Sequence, residues 1–369
     1  DGDRAAAFQL QNGLAIYGGF LGTETDLGQR DPWSHITVLS GDIDQDDNTD
    51  SHDLTETTGD IVGDNSYHVV SASSTGSSAI LDGFAITGGQ ANGNAANREH
   101  EGGGLFADGG SPTLNNLSFV GNLAVEGGAM TLLNGSAPAI TNASFTGNAA
   151  SDYGGALHNE NSSPTFTNVE MSGNRAATGG GAIYNLASSP ELTNVTVAGN
   201  AAGGTVNVAT VNPALANLTP VGGGLLNDLS SNPQIRNSVV WGNEDGTGTG
   251  TLSSAIKNND IGSRPVISYS DVQASGGSAA WNSAAGVDGG DNIDDDPQYV
   301  ASVSAASAPS FGGDYRFKSG SPAIDVGSDA FNSMPTDLGQ QPRKQDGDGN
   351  GTATIDMGAF EAPLLLLPK

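Results

Sequence analysis

The stretch Gly180-Gly181-Ala182-Ile183-Tyr184-Asn185, followed by Ser189-Pro190-Glu191-Leu192-Thr193-Asn194-Val195-Thr196-Val197-Ala198-Gly199-Asn200, decides the fold. It reads as a Gly-Gly step, an apolar residue, a Ser-Pro corner, a short β pattern around an asparagine, and a Gly-Asn turn. The same order recurs along the chain: Pro112, Pro138, Pro164 and Pro190 lie 26 apart, and Pro233 follows 43 further on. Two asparagine series keep those intervals, Asn116, Asn142, Asn168, Asn194 and Asn237, and Asn122, Asn148, Asn174, Asn200 and Asn243. Three markers sharing one period define a structural repeat. The 17 residues by which 43 exceeds 26 are read as an insertion on one coil, near 203–219 and including Thr205 to Thr219, because the register resumes after it.

No segment shows the i, i+3, i+4 spacing of an amphipathic helix over more than a turn, so short strands are the expected regular structure. Glycine, proline and asparagine separate them and supply the positive or fixed φ that corners require. If each unit of about 26 residues makes one turn of a solenoid, like side chains stack at about 4.8 Å per rung. The predicted interior stacks are Leu105, Met130, Leu157, Ile183 and Leu225; Leu117, Ala143, Val169, Val195 and Ser238; and Phe119, Phe145, Met171, Val197 and Val240. Asn116, Asn142, Asn168, Asn194 and Asn237 are expected to form an asparagine ladder, each amide bonding the same amide one rung away. The fold class is therefore all-β, a right-handed single-stranded parallel β-helix. Residues 1–101 read as irregular coils with an acidic loop, 102–250 as regular coils, and 251–369 as C-terminal coils with a calcium-loop cap.

The GGA[IL]-x-N element, at Gly154 to Asn159 and Gly180 to Asn185, followed by a strand ending in Gly-Asn, resembles the repeat of bacterial polymorphic outer-membrane proteins and related right-handed β-helix proteins. Tyr269-Ser270-Asp271-Val272, Asp314-Tyr315-Arg316-Phe317 with Ser321-Pro322-Ala323-Ile324-Asp325, and Asp356-Met357-Gly358-Ala359-Phe360-Glu361 resemble the closing region of choice-of-anchor β-helix surface proteins. The resemblance implies a bacterial, extracellular or cell-surface protein. Members of this group carry an upstream capping segment before the stretch resembling Phe8 to Phe20, and a processed or truncated form is the corresponding expectation. Motifs of this kind speak for architecture more than for activity, since one fold hosts many functions.

Charge narrows the partners. The 369 residues include 41 acidic and 12 basic side chains, a formal charge of −29, which repels nucleic acid and anionic lipid and attracts divalent cations. There is no cysteine, hence no disulfide and no thiolate chemistry. No apolar run approaches the roughly 20 residues of a membrane helix, Leu364 to Leu367 being a short run between Pro363 and Pro368, so no membrane insertion is expected.

Calcium is the expected cofactor. Asp44, Asp46, Asn48 and Asp50 alternate along one acidic loop, and oxygen donors so spaced can converge on one hard cation, although no glutamate closes the loop at the twelfth position. Asp346, Asp348, Asn350 and Thr352, with Asp356 following, form a second such loop, whose alternating glycines permit a tight curl. Asp288, Asp291, Asp294, Asp295 and Asp296 form a third, irregular cluster.

Catalytic readings find less support. A lyase acting on acidic sugars needs clustered basic residues, yet Arg98, Arg175, Arg236, Lys257 and Arg264 are scattered. A glycoside hydrolase needs two carboxylates about 5 to 9.5 Å apart on one face. Glu126 and Asp152 fall at comparable corners of successive coils but read more simply as solvated charges. His158 reads as an outward surface residue in the same position as Tyr184 and Leu226. His100, between Glu99 and Glu101, lies in a loop read as an excursion, and His35, His52 and His68 share no metal spacing, so zinc is not expected. Tyr153, His158, Tyr184 and Trp241 are the candidate ligand-binding residues, aromatic platforms for sugar. The leading expectation is a non-catalytic adhesin, stalk or filament module that binds polysaccharide or a surface protein and is able to self-associate end to end. A polysaccharide lyase or glycoside hydrolase working in a groove is the alternative.

Overall fold

A computed structural model describes residues 2–206 and 218–364; most of the insertion near 203–219, and Leu365 to Leu367, lie outside the described residues. The chain is nearly all β and winds through three parallel sheets, forming a parallel β-helix. The first sheet stacks eight strands, Phe8–Gln9, Val70–Ser71, Leu105–Asp108, Met130–Leu133, Leu157–Glu160, Ile183–Leu186, Leu225–Asp228 and Ile256–Asn258. The second carries the longest strands, Thr113–Val120, Ala139–Thr146, Thr165–Ser172 and Glu191–Ala198, flanked by shorter ones on either side. The third is built from two-residue strands such as Leu123–Ala124, Ala149–Ala150, Arg175–Ala176 and Ala201–Ala202.

Register follows the repeat. Leu114 pairs with Ile140, Ile140 with Phe166 and Phe166 with Leu192, each step 26 residues. Across the insertion Ile183 pairs with Leu225 and Val197 with Val240, so the register of the stack resumes after it. All three predicted interior stacks are buried, and Phe119 lies face to face with Phe145, centroids 4.7 Å apart and planes within 4°. The first coils are looser: Phe8 pairs with Val70 and Val70 with Leu105, and the intervening chain makes a long excursion in which Val38–Ser40 pairs with Ala85–Thr87.

Two backbone devices set the shape. Asn116, Asn142, Asn168, Asn194 and Asn237 all have φ between 47° and 55°, the left-handed region that asparagine tolerates better than other side-chain-bearing residues, and this bends each long strand into two legs. At the Gly-Gly step the second glycine is fixed by crowding between rungs: a Cβ on Gly181 would lie 2.2 Å from the Gly223 carbonyl oxygen.

The ladders are partly those expected. Asn142 donates to Asn116 at 3.3 Å and Asn168 to Asn142 at 3.1 Å, but Asn332 stands between Asn168 and Asn194, donating to both at 2.9 and 3.0 Å. Asn237 resumes the series with a 3.3 Å bond to Asn194. The unbroken ladder is the other register series, in which Asn122, Asn148, Asn174, Asn200 and Asn243 are linked by amide bonds of 2.9 to 3.0 Å. A third ladder, Asn159, Asn185, Asn227 and Asn258, runs along the first sheet at 2.9 Å per step.

The chain after residue 296 runs along the side of the stack as a strap over the second sheet. Tyr299–Ala301 pairs antiparallel with Asp314–Phe317, and Tyr299, Tyr315, Phe317, Ile324 and Met357 pack with Ala198 and Val239 in a second apolar core. Asn194 donates to the carbonyls of Asp356 and Gly358, Asn237 to Ser328, and Arg175 to Ala306 and Ala308, so the repeat itself pins the strap.

Candidate functional site

The second sheet presents its outward residues to a groove of about 350 Å³. Its floor comes from the second legs of the long strands, where Ser118 pairs with Ser144 and Ser144 with Glu170, the two hydroxyls 2.9 Å apart. One wall is the N-terminal excursion, with Trp33 and Ile36; the other is the strap, with Phe311, Leu338 and Phe360; Phe84 lies between. Burial pushes the Glu170 carboxyl up to about 7, with Asp314 adding to the rise and a 2.6 Å bond from the Ser172 hydroxyl opposing it. Polar floor and aromatic walls together suit a ligand that offers hydroxyl groups and flat apolar faces. This groove joins three parts of the chain distant from one another in sequence, and no local motif marks it.

The predicted ligand-binding residues divide. Tyr153, His158 and Tyr184 meet on the outside of the first sheet: Tyr153 stacks on Tyr184 at 4.5 Å and His158 on Tyr184 at 5.2 Å. Trp241 lies elsewhere, on the second sheet, in a different groove with Tyr299, Gln298 and Lys318. His158 is 3% exposed, so the surface-residue reading is corrected: its ring is covered by Tyr184 and by Glu126, whose Oε2 lies 3.2 Å from His158 Nδ1.

That corner also gathers charge. Glu101 bridges to Glu126 on the next coil, and Asp152 follows on the coil after. One donor atom each from His100, Glu101 and Glu126 falls within 4.8 Å of the others. Asp152 is 6% exposed and the Glu126 side chain 27%, so the solvated-charge reading is corrected for Asp152, which is buried, while Glu126 is part-buried; Glu101 beside them is 2% exposed. Burial, then the neighbouring Glu126, pushes the Asp152 carboxyl up to about 6. Burial also works against the Glu126 carboxylate, but His158, His100 and Arg98 outweigh it and hold its pKa below the ordinary glutamate value. Imidazole and carboxylates thus share one corner although no His-rich spacing announces it.

The acidic loops curl differently from the alternating pattern. In the first, Asp44 and Asp46 converge with Asp42; Asp50 instead accepts from the backbone of His52 and Leu54, and Asn48 is outside the set. Asp46 is raised by desolvation and by Asp44. In the second, Asp346 and Asp348 converge with Asp325. Asn350 and Thr352 build the turn, Asn350 donating to Asp348 and Thr352 N–H to Asn350, while Asp356 is buried and accepts from the backbone of Asp325 and Ala362. One Asp346 oxygen is buried with no hydrogen-bond partner. Of the third cluster, Asp288, Asp294 and Asp296 each accept backbone N–H groups of nearby turns.

Among the described residues no helix is long and apolar enough to cross a membrane. Comparison with protein-family models, with curated proteins and with solved structures finds no match.

Proposed function

We propose that this protein is a non-catalytic polysaccharide-binding β-helix module of a bacterial surface or secreted protein, with the groove over the second sheet as its binding site. The observation that carries the reading is the groove itself, Trp33, Phe84, Phe311 and Phe360 around the hydroxyls of Ser118 and Ser144. Aromatic faces stack on the C–H faces of sugar rings while hydroxyls and a carboxylate take their OH groups, and a formal charge of −29 favours neutral over acidic glycans. The family resemblance carried by the Gly-Gly repeat is consistent with a surface location.

Calcium, on the same reading, stiffens the loops at Asp42, Asp44 and Asp46 and at Asp325, Asp346 and Asp348, since three converging carboxylates repel one another until a cation joins them. The orphaned Asp346 oxygen supports the second of these. A glycan array followed by titration calorimetry tests the binding: a neutral polysaccharide should bind, with affinity lost at least tenfold in Trp33→Ala and Phe311→Ala. Absence of any bound glycan, or binding indifferent to both substitutions, rejects the groove. Release of new reducing ends or unsaturated sugars from the bound glycan would instead establish the hydrolase or lyase alternative. Sedimentation over a range of concentrations tests end-to-end self-association separately.

A further inference from the structure

We propose that the corner formed by His100, Glu101 and Glu126 binds a divalent transition cation, separately from the acidic loops. Its donors come from successive coils stacked one above another, and one atom from each lies within 4.8 Å of the rest. Proximity of acids alone would not carry this, because carboxylates gather often on so acidic a chain. The second observation is the lack of partners. Glu101 is 2% exposed and its Oε2 is buried with no hydrogen bond; His100 Nδ1 is likewise buried and unpartnered. His158, 3% exposed, stands with Nδ1 3.2 Å from Glu126 Oε2, and its Nε2 is buried with no hydrogen-bond partner. Asp152, 6% exposed, keeps an orphaned Oδ1 on the next coil.

Buried polar atoms without partners are rare because each costs free energy, and several in one corner mark a missing partner held in common. Arg98 answers part of the charge, donating to Glu101 Oε1 at 2.8 Å, but it leaves Oε2 open. A cation meets both needs at once, since carboxylate oxygens and an imidazole nitrogen each give it a lone pair. Calcium seeks six to eight oxygens, more than this corner offers. A mixed set of one imidazole and two carboxylates fits the zinc-like cations, whose tetrahedral or slightly larger shells are completed by water.

Zinc is the probe. Chelator-stripped protein in calcium-containing buffer, with the acidic loops supplied, should take up one zinc per chain by titration calorimetry. Glu126→Gln and His100→Gln should each weaken that uptake at least tenfold, while Asp44→Asn should leave it unchanged. Circular dichroism melts establish that each variant is folded, and His100 and Glu126, with side chains 19% and 27% exposed, both lie at the edge of the core. Zinc-edge anomalous diffraction from the intact protein should give a peak between His100 and Glu126. No saturable uptake, uptake indifferent to both substitutions, or an anomalous peak elsewhere overturns the proposal.

Discussion

Asn332 donates a 3.0 Å hydrogen bond to Asn194, a residue 138 positions earlier in the chain, and with its other amide hydrogen reaches Asn168 at 2.9 Å. The strap thereby supplies one rung of the asparagine ladder that the repeat leaves open. Both bonds are buried, Asn332 being 6% exposed.

Asn332→Ala removes both bonds. Arg343 still donates to Asn168 and Asn237 to Asn194, so neither acceptor is wholly abandoned. The expected loss is about 1 to 3 kcal/mol by chemical denaturation. The loss should appear first as faster proteolytic cleavage within residues 300–362, with the coils remaining resistant.

The two ladder positions should differ in cost. Asn174 donates to Asn200, to the Phe145 carbonyl and to the Ser172 carbonyl, and accepts from the Asn148 amide and backbone, all buried. Asn142 makes one donated and one accepted amide bond in a partly exposed bend. Asn174→Ala should therefore cost about 3 kcal/mol or more, and Asn142→Ala about 1 kcal/mol plus the strain of a positive φ. Equal costs in thermal melts would mean that the ladders stabilise the coil to the same degree.

This contrast marks what the sequence carries. Both asparagine series have one period, so spacing reveals that they stack and conceals which series points inward. The interior stacks are legible because apolar residues at a fixed place in the repeat have only the core to fill, as Phe119 and Phe145 do. Functional geometry is legible only where it repeats. Tyr153, His158 and Tyr184 share a face because the register puts them there, whereas Trp33 and Phe311 form one groove through a strap and an excursion that obey no period. Asp356 reads as the end of a metal loop because it follows Asp346-Gly347-Asp348-Gly349-Asn350, but the chain turns inward before it and commits its carboxylate to backbone N–H groups.

Crowding between rungs makes Gly181 a sensitive glycine of the repeat. An alanine there would press its methyl into the Gly223 carbonyl, 2.2 Å away, with backbone also within 2.6 Å at Ala201. Only separation of adjacent coils relieves this, so Gly181→Ala should cost about 3 kcal/mol, in the range of overpacked cores. Gly135 is a control. Its φ is 85° but no atom lies within 4 Å of the place a Cβ would take, so Gly135→Ala should cost only about 1 kcal/mol.

Glu170, at the floor of the groove, gives the protein a pH dependence of defined sign. Its carboxyl titrates near 7 when folded, against an ordinary value of 4.5, chiefly through burial. A carboxyl raised by folding binds its proton more tightly in the native state, so stability is fully present below about 4.5 and is lost as pH rises through about 7. The full rise corresponds to about 3 kcal/mol, and partial contact with water reduces the expected effect to roughly 1 to 2 kcal/mol. Glu170→Gln keeps the shape and the contact with Ser172 while removing the charge. It should melt higher than the parent at pH 8, by several degrees, and the two should converge at pH 4. A parent whose melting temperature does not fall between pH 4.5 and 8 relative to the variant would show that Glu170 ionises freely, and that the groove floor is open to water.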